Sequence, residues 1–122
     1  MKDLIEAYLN AYNRKDVAGM LAVVHDNIRF ENVSNSGASM MLTGKQALEQ
    51  QAEQFLAVFS ERNQVITSLI VAGNRAAAEI DYRATVAQDL PNGWKENQSI
   101  TLRGVSIFES RDGRLCRISD YS

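Results

Sequence analysis

Apolar positions recur at helical spacing in the first half of the chain and at alternating positions in the second. Leu4, Ile5, Tyr8, Leu9 and Tyr12 predict a helix over residues 3–13, with Asp3 and Glu6 spaced as a capping box. Val17, Met20, Leu21, Val23 and Val24 predict a short second helix after Asp16, ended by "HDN" at 25–27. "IRFEN" (28–32) alternates and places Ile28, Phe30 and Asn32 on one face. A polar loop, "SNSGAS" (34–39), follows. Thr43 and Gln46 are spaced as the cap of a third helix, "GKQALEQQAEQFLAVF", whose stripe is Leu48, Ala52, Phe55 and Phe59.

From residue 62 the period changes to two. Strands are predicted over about 63–72, 75–87, 94–109 and 114–121, joined at "GN", "DLPNG" and "RDG". No helix separates them, so the sheet is mostly antiparallel. Helices followed by hairpins predict an α+β fold: a curved sheet wrapped on three helices, in a single domain over 1–122.

Composition narrows the function classes. A chain of 122 residues with 45% hydrophobic and 23% charged positions builds one modest core. The net charge of −2, without a basic run, argues against nucleic acid and anionic membrane as partners. No apolar run approaches the ~20 residues of a membrane span, and no cleavable signal pattern opens the chain. A cytoplasmic location is the expectation. The single cysteine, Cys116, excludes an internal disulfide and reads as packing. His25 reads as a helix C-terminal residue. No metal-ligand spacing, phosphate loop or nucleophile elbow occurs, so cofactor-free acid/base chemistry is what remains for an enzyme. Trp94 is placed at a hairpin or at the mouth of a pocket, with Met40 and Met41 as rim or gap-filling residues.

Two polar positions fall on apolar faces: Asp120 shares a face with Cys116 and Ile118, and Asn32 with Phe30. A carboxylate there is costly unless it is paired or used. In "RAAAEIDYRATVA" (75–87), alternation buries Ala76, Ala78, Ile80, Tyr82 and Val86 and leaves Glu79, Asp81 and Arg83 on the wet face. The buried face of this strand needs a cover, so a homodimer is expected, although the helices could supply that cover instead.

"YLNAYNRKDVAGMLAVVHDNIRF", "LTGKQAL" and "LRGVSIFESRDGRLCRISDY" together resemble the nuclear-transport-factor-2-like superfamily. This is the cone-shaped α+β fold of ketosteroid isomerase, SnoaL-like polyketide cyclases and limonene epoxide hydrolase. The resemblance covers nearly the whole chain and implies a concave pocket for a small hydrophobic molecule, with no cofactor. Set beside limonene epoxide hydrolase, Asp120 in "SDY" and Asp81 match its two aspartates and Asn32 its asparagine. Glu79 stands in place of its arginine and Phe30 in place of its tyrosine. Set beside ketosteroid isomerase, Tyr8 matches the first-helix tyrosine, and Asn32 replaces the general base. The likeness implies a pocket on the face of Glu79, Asp81 and Arg83, against the plain alternation. It also makes Tyr8, Phe30, Ile100, Leu102 and Ile118 candidate lining residues. In that reading Asp120 is the base and Asp81 the acid of a hydrolase, cyclase or isomerase, since clustered carboxylates split their pKa values. The other reading is a non-catalytic module that binds a small ligand or a protein.

Overall fold

The computed structural model describes residues 1–35 and 37–122. Three helices, α1 (Lys2–Asn13), α2 (Val17–Leu21) and α3 (Lys45–Phe55), pack on one sheet. Its strands are β1 (Val24–Val33), β2 (Met40–Thr43), β3 (Phe59–Ala72), β4 (Arg75–Val86), β5 (Ser99–Arg111) and β6 (Arg114–Tyr121). They lie in the order β2-β1-β6-β5-β4-β3. All neighbours are antiparallel except β1 and β6, which run parallel. The expected α+β architecture of a curved sheet around three helices is what forms.

The inner face of the sheet carries the core. Ile5 and Leu9 of α1 and Leu48 and Ala52 of α3 pack on Val24, Ile28, Ala78, Phe108 and Ile118. A smaller cluster joins Phe59, Ala84, Val86 and Ile100. The helices pack over Ala76 and Ile80 of the β4 face, and the Phe59 cluster takes in Tyr82 and Val86. Among the described residues, no helix is long and apolar enough to cross a membrane.

The hairpin ends follow their local chemistry. Asp112 and Gly113 take φ of 55° and 74°, the two left-handed residues a tight twisted turn requires. Asp16 caps α2, accepting from the Gly19 amide at 2.9 Å.

Several expected boundaries move. The cap of α1 is Met1, so Asp3 lies inside the helix and Glu6 pairs with Lys2 at 3.7 Å instead of closing a capping box. The cap of α3 is Gly44 at φ 97°, not Thr43, because a new strand, β2, runs up to it. Met40 and Met41 are strand residues there, and only Met40 turns inward to line the cavity. The helix stops at Phe55, and Phe59 opens β3. His25 belongs to β1, where its Nδ1 accepts from the Asn27 amide at 3.0 Å. Strand β5 begins at Ser99, which leaves Trp94 in the preceding loop. The polar loop at 34–39 includes residue 36, which lies outside the described residues.

Candidate active site

Side-chain parity on five strands determines what meets inside the cone. Asn32, Asp120 and Ser106 lie in one row across β1, β6 and β5, since Asn32 pairs with Asp120 and Asp120 with Ser106. Ile80 and Tyr82 face the same space from β4, Arg62 and Gln64 from β3, and Tyr8 and Tyr12 from α1. Together with Phe30, Phe55 and Trp94 they enclose a largely apolar cavity of about 330 Å³. Trp94 closes one side, its ring 6.1 Å from that of Phe59.

One acidic side chain lines this cavity among the described residues, that of Asp120. Ser106 Oγ, itself buried, donates to Asp120 Oδ1 at 2.5 Å. Burial pushes the Asp120 carboxyl up to about 6, and the Ser106 hydrogen bond pulls in the other direction. Asn32 sits beside it at the exposed rim.

The phenols are held neutral. Burial, and secondarily the Asp120 charge, raises the Tyr8 hydroxyl above its ordinary range. Burial does the same to Tyr12 and Tyr82, whose hydroxyls meet at 2.9 Å. Arg62, 5% exposed, lays its guanidinium 3.8 Å from the centre of the Tyr12 ring and donates from Nε to the Tyr12 carbonyl at 2.9 Å. A carboxyl of raised pKa and neutral O–H donors thus line one largely apolar cavity.

A SnoaL-like domain model matches residues 5–118. The chain belongs to the SnoaL-like domain family. Solved structures of the fold agree. A candidate polyketide cyclase of Xanthomonas campestris is 23% identical, with a TM-score of 0.79 over 99% of this chain and 88% of that one. A candidate polyketide cyclase of a Silicibacter species is 25% identical, with a TM-score of 0.78 over 98% and 86%. An LEH-like epoxide hydrolase of M. tuberculosis is 19% identical, with a TM-score of 0.79 over 98% and 79%. No curated protein matches.

In this SnoaL-like chain Asp120, Asn32, Tyr8, Phe30 and Leu102 line the cavity. Glu79, Asp81 and Arg83 do not. Strand β4 turns Ile80 and Tyr82 inward, so these three point to the opposite face. There Asp81 pairs with Arg103 at 3.7 Å, both well exposed. The match that brought Asp81 beside Asp120 is one residue out of step, and in a strand one residue changes the face. Plain alternation had placed them correctly. Ile100 and Ile118 are core residues rather than lining: Ile100 packs in the Phe59 cluster and Ile118 against Phe108 and Ile28. No three metal-ligating side chains gather among the described residues.

Four site residues escaped the sequence reading. Tyr12 and Tyr82 were visible as apolar stripe members, with nothing to show that their hydroxyls meet. Ser106 shares its face with Phe108, a polar residue on a buried parity like Asp120, and this signal was readable. Arg62 precedes the predicted start of its strand, and its parity with Ile66 emerges only once β3 begins at Phe59.

Proposed function

We propose that this SnoaL-like protein moves protons on a small, largely apolar carbonyl compound, with Asp120 as its acid/base group and no cofactor. The observation that carries this reading is the one acidic side chain lining the cavity among the described residues, Asp120, raised to about 6 and hydrogen-bonded by Ser106. Such a group is mostly ionised at neutral pH yet a stronger base than an ordinary carboxylate.

Asp120 takes a proton from the carbon beside the carbonyl. The C–H electron pair becomes the enolate, whose oxygen is met by a neutral tyrosine O–H. When the substrate carries a C=C one carbon further on, the enolate is a dienolate, and protonated Asp120 returns the proton to its far carbon as the double bond moves into conjugation, an isomerisation. Alternatively the enolate carbon attacks a second carbonyl, a cyclisation, and Asp120 protonates the new alkoxide. Asn32 at the rim orients the substrate carbonyl.

Epoxide opening with Asp81 as acid is set aside, because Asp81 lies on the other face of the sheet. A binding module without turnover remains the second reading, favoured by a cavity with so little polar lining. If the protein is a homodimer, the outer face is the place for it, where Val65 and Val105 are 48% and 39% exposed. A monomer in sedimentation would refute that assembly.

The test uses 2-tetralone, an apolar bicyclic ketone, in D2O. The protein should accelerate exchange of the protons beside its carbonyl, and Asp120→Asn should abolish the acceleration while the fold persists. Exchange no faster than in buffer, or undiminished in the variant, leaves the binding-module reading.

A further inference from the structure

Arg62 is a buried cation with no counter-ion among the described residues. It is 5% exposed, makes no ion pair among the described residues, and its Nη2 has no hydrogen-bond partner. Buried charges are ordinarily paired, since desolvation disfavours the charged form. Asp120 does not serve, because its carboxyl is engaged by Ser106 and is raised rather than lowered by its surroundings.

Stacking on the Tyr12 ring and the Nε bond to the Tyr12 carbonyl fix two sides of the Arg62 guanidinium. Beside it, the hydroxyls of Tyr12 and Tyr82 share a single hydrogen bond, which uses one of their two protons. The other proton has no acceptor among the described residues. The Arg62 charge is felt by the Tyr8, Tyr12 and Tyr82 hydroxyls, and all three residues line the cavity. The Arg62 side chain also hydrogen-bonds the Tyr12 hydroxyl, so guanidinium and tyrosine pair form one cationic, O–H-bearing unit at the cavity wall with no anion on it among the described residues.

We infer that the cavity takes an amphipathic carboxylic acid, whose carboxylate pairs with the Arg62 guanidinium and the free O–H of the Tyr12–Tyr82 pair. The apolar body of the acid then lies along Phe30, Phe55 and Ile80, and its other end reaches Asp120. The inference rests on the reading of this cavity as a small-molecule site and adds the class of molecule. Arginine suits the task because its planar fork keeps its charge at every accessible pH and matches a carboxylate.

The test compares 2-naphthoate with its neutral isostere 2-naphthamide by calorimetry at about pH 8, where Asp120 is ionised and repels anions. The wild-type protein should bind the acid at least about tenfold more tightly than the amide, in line with a charge-assisted contact. Arg62→Met should bring the two affinities together, while Asp120→Asn should keep or widen the gap. Should Arg62→Met fail to fold, Arg62→Lys, which retains charge but loses the fork, should narrow it. Equal affinities in the wild type, an undiminished gap in the Arg62 variants, or no naphthoate binding up to millimolar concentration would each overturn the inference. The readout is affinity, so failed tetralone exchange defeats the proton-transfer reading and leaves this one standing.

Discussion

Ser106 Oγ lies 2.5 Å from Asp120 Oδ1, and the two residues are direct partners across the β5–β6 ladder. The contact joins the two central strands of the six-stranded sheet. It also accounts for a carboxylate on an apolar strand face. Burial disfavours the charge, and one hydroxyl restores part of what water would give. The result is a carboxyl that changes protonation close to physiological pH.

Removing that hydroxyl should move the balance further. Ser106→Ala takes away the one group that lowers the Asp120 pKa. The Asp120 midpoint should rise above about 6, and the pH profile of tetralone exchange should rise with it. A midpoint that is unchanged or lower would mean the hydrogen bond plays no electrostatic part.

Asp120 also makes folding pH-dependent, with a definite sign. Its folded pKa, about 6, lies above the ordinary 3.8, so between these values the folded state holds a proton the unfolded chain has released. Stability from this group is complete below the lower value and lost as pH rises through the upper one. The full difference is up to about 3 kcal/mol. Denaturant unfolding from about pH 4 to pH 7 should show this decline in the wild type and not in Asp120→Asn. The variant should be the more stable protein at neutral pH.

Asp81→Asn should be silent in the site. Its partner Arg103 stands 3.7 Å away on the outer face, where such a pair contributes at most about 1 kcal/mol. Tetralone exchange should match the wild type within error. A large loss would restore Asp81 to the chemistry and contradict the assigned face.

How much was legible beforehand can be argued from these residues. The fold was, because helical and alternating periods are strong and Asp-Gly marked its hairpin. Asp120 was, because a carboxylate on the Ile118 face breaks the pattern. Asp81 was misplaced because family likeness outweighed alternation at Ile80 and Tyr82, and register carries no tolerance for a single step. Arg62 was hidden because strand ends are set by tertiary packing rather than by local pattern.

Gly104 tests the wall of the site. A Cβ there would meet the Tyr121 carbonyl oxygen at 2.8 Å, a backbone atom that cannot swing aside. Gly104→Ala should force β5 and the end of β6 apart, next to Asp120, and destabilise by about 1–3 kcal/mol. Thermal unfolding reads it, and an unchanged midpoint would show that the strand ends yield freely.

The most direct test of the central claim is a carbon-detected NMR titration of the Asp120 carboxyl, assigned by its disappearance in Asp120→Asn. The account predicts a midpoint near 6 in the ligand-free protein. A midpoint near 4, the value of a free carboxylate, would mean that Asp120 faces water and is not the poised base of a dry site.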